Sequence, residues 1–111
     1  MRLESCGRRG SVLIGSLTCH VKPEHATEFL DSAGTLLERA RRFNGCLGCR
    51  IVTEHPDPHA YVLITEWTDR PSFQQFIGSR EFHILRGMQI LMHDALSMVV
   101  DDVVTRARLG E

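Results

Sequence analysis

The sequence lacks both a long apolar run and an excess of charge of one sign. No stretch approaches the roughly 18 apolar residues that a membrane-spanning helix needs. Thirteen Lys and Arg residues are balanced by fourteen Asp and Glu residues, which gives a formal net charge of −1. Because proteins that bind nucleic acid or anionic membranes carry a basic face, neither partner is expected. Residues 1–11 lack the apolar centre of a secretory signal, so we expect a cytoplasmic protein.

The chain also lacks the cysteine pattern of a disulfide or zinc framework. Its four cysteines are Cys6, Cys19, Cys46 and Cys49, which in a reducing compartment are more often thiols than bridges. Cys46 and Cys49 have CxxC spacing, which can bind zinc if two more ligands converge, or act as a redox pair at the start of a helix. No second CxxC exists, and this one leads into a predicted strand. We therefore expect ordinary buried thiols there, and no metal site.

Four strand-like runs are apolar on both of their faces: residues 12–21, 47–53, 60–67 and 95–104. In the third run, Val62 and Ile64 point to one face while Leu63 points to the other. A strand with one face in water alternates apolar and polar residues, but a strand buried on both faces need not. The two amphipathic helices between these runs can cover only one face of a sheet. We therefore expect a second copy of the chain on the other face.

The helical segments have recognisable start and stop signals. Pro23 opens the first segment, whose apolar residues recur at three- and four-residue spacing until Asn44-Gly45 stops it. Asp69 can cap the second segment, Gly78 breaks or kinks it, and Ser79 can cap a further piece.

The order of these elements predicts a fold. Residues 55–59 contain two prolines and are predicted to connect the second and third strands as part of a hairpin. The order strand, helix, strand, strand, helix, strand predicts an α+β, ferredoxin-like βαββαβ fold with an antiparallel sheet. The chain length allows one domain. We expect a leader over 1–11, the domain over 12–104 and a tail over 105–111.

Several short motifs resemble one known family in their order and spacing. They are Val21-Lys22-Pro23-Glu24 before a helix with Phe29, Gly45-Cys46-Leu47-Gly48, Glu66-Trp67-Thr68-Asp69 with Phe73, and Ser79 with Phe82. Together they are similar to the antibiotic biosynthesis monooxygenase (ABM) domain over roughly residues 12–104. The resemblance implies ferredoxin-like subunits whose sheets pair face to face as a dimeric α/β barrel. It thus agrees with the homodimer expected from the strand pattern.

The resemblance implies a cofactor-independent monooxygenase, which would oxidise a quinol or a similar electron-rich aromatic with O₂. In such chemistry the ionised substrate supplies the electrons, and the protein contributes a base, a positioned ring and a dry pocket. One alternative is a non-catalytic dimeric barrel that binds a small hydrophobic ligand, because Phe76 stands where many members have histidine. Another is haem binding or degradation, which is disfavoured because that branch uses an asparagine on the first strand, and the only asparagine here is Asn44.

Three residues are candidates for catalysis. Trp67 resembles the motif tryptophan that borders the family's pocket, although it could simply anchor the sheet to a helix. His83 lies beside Phe82 on the second helical segment and could take a phenolic proton, or could be a solvated histidine. His20 is a second possible pocket histidine, or a hydrogen-bonded group where two subunits meet.

Aromatic and methionine side chains are the candidates for binding a flat substrate. They could line an apolar cavity beneath the second helical segment, or form plain core. These candidates are Tyr61, Phe73, Phe76, Phe82 and Met88.

Overall fold

The computed structural model describes residues 12–103. The predicted leader over 1–11, Val104 and the predicted tail over 105–111 lie outside the described residues. The strands are β1 (Leu13–His20), β2 (Cys46–Glu54), β3 (Asp57–Trp67) and β4 (Ser97–Asp102). The helices are α1 (Ala26–Ala40), α2 (Arg70–Ile77) and α3 (Arg80–Gly87), with 3-10 turns at Pro23–His25 and Met88–Leu91. This order confirms the predicted ferredoxin-like α+β fold. No helix within residues 12–103 is long and apolar enough to cross a membrane.

The four strands form one antiparallel sheet in the order β2-β3-β1-β4. β1 and β3 are central and pair along their length, with Leu17 opposite Leu63 and Leu13 opposite Trp67. Strand alternation then gives the sheet two distinct faces. The helices cover only one of them, which we call the inner face.

The hairpin between β2 and β3 is tighter than predicted. Only His55 and Pro56 form the turn, and Asp57, Pro58 and His59 belong to β3. The prediction that residues 55–59 form a connection is therefore wrong over its last three residues. Pro58 is tolerated because the register shifts between Thr53 and Glu54, so the ladder is already irregular beside it.

The second helical segment is two separate helices, each capped as the sequence predicts. Asp69 accepts a hydrogen bond from the Ser72 amide at 2.8 Å, and this bond is the main cause of the lowered pKa of the Asp69 carboxyl. The Ser79 hydroxyl accepts a hydrogen bond from the Phe82 amide at 3.2 Å and donates one to the Phe76 carbonyl. A single side chain thus ends α2 and begins α3.

One core lies between the inner face and the helices. Its largest fully buried side chains are Trp67, Phe29, Leu13, Leu63, Val21 and Cys19. The opposite side of the sheet, which we call the outer face, carries Ile14, Ser16, Thr18, His20, Arg50, Val52, Val62, Ile64, Glu66, Ser97, Val99 and Asp101. Val52 and Val99 are exposed there, while Arg50 and Glu66 pair at 3.5 Å. The described helices leave this mixed, partly apolar surface uncovered.

Gly45 is the glycine whose replacement should cost most stability. Its φ of +89° lies in the left-handed region, and an added Cβ would overlap the Ser72 side chain. We expect Gly45→Ala to lower the free energy of unfolding by about 1–3 kcal/mol. Gly34→Ala is the matched control, because nothing lies near that Cβ position within α1. It should raise stability by about 0.5–1 kcal/mol.

Denaturant unfolding of both variants at one fixed protein concentration would measure these changes. Equal effects of the two substitutions would contradict the assigned backbone conformation.

Candidate active site

A small cavity lies between the inner face of the sheet and helices α2 and α3. The centre of a water molecule can move within about 10 Å³ of this cavity, so the cavity is just large enough to hold one water molecule. The lining residues are Gly15, Leu17, Leu37, Leu63, Thr65, Phe73, Phe76, Phe82, Leu85 and Met98. Most of these side chains are apolar, so any ligand there would meet a water-poor surface.

Gly15 determines how closely α2 approaches the sheet. A Cβ at this position would lie 2.8 Å from Cε1 of Phe73 and 3.2 Å from the Thr65 hydroxyl. The Phe73 ring therefore occupies space that a side chain on β1 would otherwise fill. The Thr65 hydroxyl donates to the Gly15 carbonyl at 3.4 Å and is the one side-chain hydroxyl of the lining.

Trp67 lies behind the cavity at the centre of an aromatic cluster. Its indole stacks on Phe76 at 5.2 Å between ring centroids and meets Phe73 and Phe43 at 6.3 and 6.4 Å, with steeper angles between the rings. Two of these partners, Phe73 and Phe76, also line the cavity, so Trp67 is one ring removed from it.

The Trp67 indole carries a buried donor that has no acceptor. The side chain is 0% exposed, and its Nε1 is the one buried side-chain nitrogen or oxygen without a hydrogen-bond partner among residues 12–103. Leaving such a group unsatisfied costs about 1–3 kcal/mol. Because Phe73 and Phe76 lie between this N–H and the cavity, a ligand acceptor could reach it only if those rings moved.

The structure does not bring the three predicted catalytic residues together. Trp67 lies on the inner face, His20 lies half-buried on the outer face, and His83 is exposed on α3. Since side chains on opposite faces of a sheet cannot share one pocket, His20 and Trp67 belong to different surfaces. No histidine is among the residues that line the cavity.

Three of the five predicted binding residues line the cavity: Phe73, Phe76 and Phe82. Tyr61 stacks instead on Phe29 at 5.5 Å, and Met88 is buried in the 3-10 turn after α3. The sequence reasoning did not identify Gly15 and Thr65, although strand alternation places both on the same face as Leu17 and Leu63. Alternation was therefore the signal that could have found them.

The described histidines, cysteines and carboxylates give no metal cage. Across residues 12–103, no group of three or more such side chains converges. The exposed His55 and the half-buried His59 lie on the β2–β3 hairpin.

Known proteins with similar sequence patterns and similar structures share this fold. A profile of the family described as antibiotic biosynthesis monooxygenase matches residues 13–85. No curated protein matches the sequence. Three solved structures illustrate the similarity, and at these identities they bear on the fold alone.

A protein from Nitrosomonas europaea, whose name proposes an antibiotic biosynthesis monooxygenase, has a TM-score of 0.80 and 16% identity, covering 89% of this chain and 96% of its own. A structure named antibiotic biosynthesis monooxygenase has a TM-score of 0.75 and 24% identity, and the match covers 84% of this chain and 99% of that structure's chain. A conserved protein from Methanosarcina mazei Go1 has a TM-score of 0.79 and 21% identity, and the match covers 85% of this chain and 94% of that protein's chain.

The aromatic cluster should carry a large share of the stability. We expect Phe76→Ala to lower the free energy of unfolding by about 3–5 kcal/mol, because Phe76 is buried against Trp67, Phe43 and Phe82. His83→Ala on the exposed side of α3 should change it by less than about 0.5 kcal/mol. Denaturant unfolding followed by the fluorescence of the single tryptophan measures both. If Phe76→Ala does not unfold measurably earlier than His83→Ala, the cluster is not central to the core.

Proposed function

Since the chain belongs to the antibiotic biosynthesis monooxygenase family, we propose that it oxidises a quinol or a similar electron-rich aromatic with O₂, without a cofactor. The observation that supports this proposal best is the unpartnered indole N–H of Trp67, buried behind an aromatic-lined cavity. Once the cavity widens, a ring held between Phe73 and Phe76 would present its oxygen atoms to this N–H, the one buried side-chain donor without an acceptor among residues 12–103. Stacking on these rings would orient the substrate.

The proposed reaction draws all its electrons from the substrate. An ionised quinol reduces O₂; one oxygen atom is added to the ring and the other leaves as water. The chain would contribute a dry surface and a hydrogen-bond donor for the negative charge on the substrate oxygen. In this proposal Trp67 is that donor, and Phe73, Phe76 and Phe82 hold the ring.

A ring can enter only if the cavity widens. The present space admits about one water molecule, far less than an aromatic ring needs. Phe73 and Phe76 lie on α2 and Phe82 lies on α3, and the two short helices meet at Gly78-Ser79. We therefore propose that substrate binding moves these helices away from the sheet.

The candidate proton acceptors both lie outside the cavity. His83 follows the cavity-lining Phe82 in sequence, but its side chain is exposed. For His83 to act as the base, the substrate oxygen must reach the surface beside α3, or a water molecule must relay the proton. His20 could act only in a site on the outer face.

A second candidate function is binding without catalysis. None of the side chains that line the cavity is titratable, so the described chain offers a small apolar ligand a surface but no base within it. In that case the protein is a dimeric barrel that holds a small hydrophobic molecule.

We also propose that the active form is a homodimer in which two outer faces pack together. The outer face has Val52 and Val99 exposed and Ile14, Val62 and Ile64 half-buried between its polar residues. An apolar sheet surface that helices leave uncovered is stabilised by a second layer. His20 would then lie near the subunit boundary.

Oxygen uptake with a panel of hydroquinones tests the enzymatic proposal. We expect metal-free protein to consume O₂ faster than the substrates' own autoxidation. Trp67→Phe keeps an aromatic ring but loses the N–H donor, and should slow the reaction by about tenfold or more. If His83 is the base, His83→Ala should slow it by about a hundredfold.

Rates equal to autoxidation across the panel, together with a measurable dissociation constant for the same quinols, would favour the binding protein. Rates equal to autoxidation with no binding would remove both candidates for this ligand class. A folded Trp67→Phe variant with full activity would remove the proposed donor.

The homodimer is tested by sedimentation velocity on the native chain and two variants. We expect the native protein to sediment as a dimer, and Val52→Lys to raise the dissociation constant by about a hundredfold or more, because a lysine charge would be buried unpaired. Leu30→Lys on α1 is the matched control, since Leu30 is 37% exposed and Val52 is 36% exposed. A native chain that sediments as a stable, folded monomer would contradict the proposal.

A further inference from the structure

The CxxC pair is brought together by an irregularity in β2. In a regular strand, residues three positions apart point to opposite faces. Here Cys46 pairs with Trp67 but Gly48 pairs with Glu66, so Leu47 is an extra residue on β2. Leu47 is 53% exposed, and the sulfur atoms of Cys46 and Cys49 lie 3.6 Å apart. The bulge therefore places two thiols in contact that alternation would separate.

The two thiols differ in their access to solvent. Cys49 is buried, and burial raises the pKa of its thiol to about 12. Cys46 is half-buried, and both cysteines border an open surface pocket of about 310 Å³ with Arg41, Leu47 and Gly48. Arg41 donates to the Cys49 carbonyl at 2.8 Å, which holds its guanidinium at the pocket. A small polar molecule in this pocket would meet Cys46 before Cys49.

We propose that Cys46 and Cys49 form a reversible dithiol–disulfide site whose substrate is a hydroperoxide. The Cys46 thiolate attacks the peroxide oxygen; the O–O bond breaks, water or an alcohol leaves, and Cys46 becomes a sulfenic acid. The Cys49 sulfur then attacks the Cys46 sulfur, the S–O bond breaks, and the released hydroxyl leaves as water with the Cys49 thiol proton. The two sulfur atoms together give two electrons to one peroxide, and an external dithiol returns them.

The bridge requires only a local adjustment of the chain. The sulfur atoms must close from 3.6 Å to about 2.05 Å, a change that side-chain rotation with a small backbone shift can supply. Gly48 lies between them in sequence, and no atom lies close to its Cβ position. The site depends on the bulge in β2 and is independent of the proposed monooxygenase activity.

Trp67 provides an internal reporter of this chemistry. It is the only tryptophan in the sequence, and Cys46 is its partner across the β2–β3 ladder. Directly opposed residues in an antiparallel pair have Cβ atoms about 4.5–5.5 Å apart. A disulfide at Cys46 should therefore quench the fluorescence of Trp67, and reduction should restore it.

The decisive experiment is mass spectrometry of the full chain after brief treatment with stoichiometric hydrogen peroxide, alkylation and trypsin digestion. Cleavage after Arg42 and Arg50 releases residues 43–50, which contain Cys46 and Cys49 but neither Cys6 nor Cys19. We expect this peptide to lose two hydrogen atoms, to resist alkylation, and to recover both thiols with dithiothreitol. Cys19 is the matched internal control, because it is buried with no described thiol beside it and should remain a thiol.

Serine variants test the order of attack. In Cys49→Ser, the sulfenic acid on Cys46 should persist and be trapped by dimedone. In Cys46→Ser, dimedone labelling of Cys49 should be lower by about tenfold or more than the labelling of Cys46 in Cys49→Ser, because the buried thiol is poorly accessible. Cys19→Ser should form the bridge normally.

The proposal is overturned if the native 43–50 peptide keeps both thiols while the peroxide is consumed elsewhere. It is equally overturned if Cys46 proceeds to sulfinic acid without bridging. Equal dimedone labelling of the two variants would refute the assigned roles of the two sulfurs. The native-chain measurement needs no substitution, so a variant that fails to fold leaves the test intact.

Discussion

The packing of the Trp67 indole is the interaction on which the rest of the structure depends. Trp67 ends β3, and its ring contacts Phe43 after α1 as well as Phe73 and Phe76 on α2. One side chain thus ties the sheet to α2 and to the segment that follows α1. It also defines the candidate site, because the rings that hold Trp67 on one side line the cavity on the other. Under the proposed function, stability and ligand binding would therefore depend on the same contacts.

The two faces of the sheet divide the possible roles of the chain. The inner face supplies core and cavity, and the polar groups at the cavity are the Thr65 hydroxyl that lines it and the Trp67 N–H behind it. The outer face carries most of the sheet's charged and polar side chains together with exposed valines. A base for phenol chemistry is easier to find outside the cavity than within it. Catalysis would therefore need a proton path to a base outside the cavity, whereas binding alone would not.

Local chemistry made much of the fold predictable from the sequence. The Asp69 and Ser79 caps, the break at Gly78 and the order of elements all follow from short-range signals, and the structure agrees with each. The start of β3 did not follow, because its pairing depends on a register shift that no local pattern encodes. The same limit applied to the site. Gly15 matters only because the Phe73 ring lies against it, and Cys46 meets Cys49 only because Leu47 is extra.

The double use of the Ser79 hydroxyl has a mechanical consequence. The Ser79 hydroxyl bonds to the last turn of α2 and to the first turn of α3, and the Ser79 amide also donates to the Phe76 carbonyl, so the two helices are linked through this one residue. Phe76 on α2 and Phe82 on α3 lie on either side of Ser79, and their rings are in contact, with 5.4 Å between the ring centroids. We therefore expect the cavity to open when α2 and α3 move together, and not when individual rings rotate. Such an opening would be slow compared with rotation of a side chain.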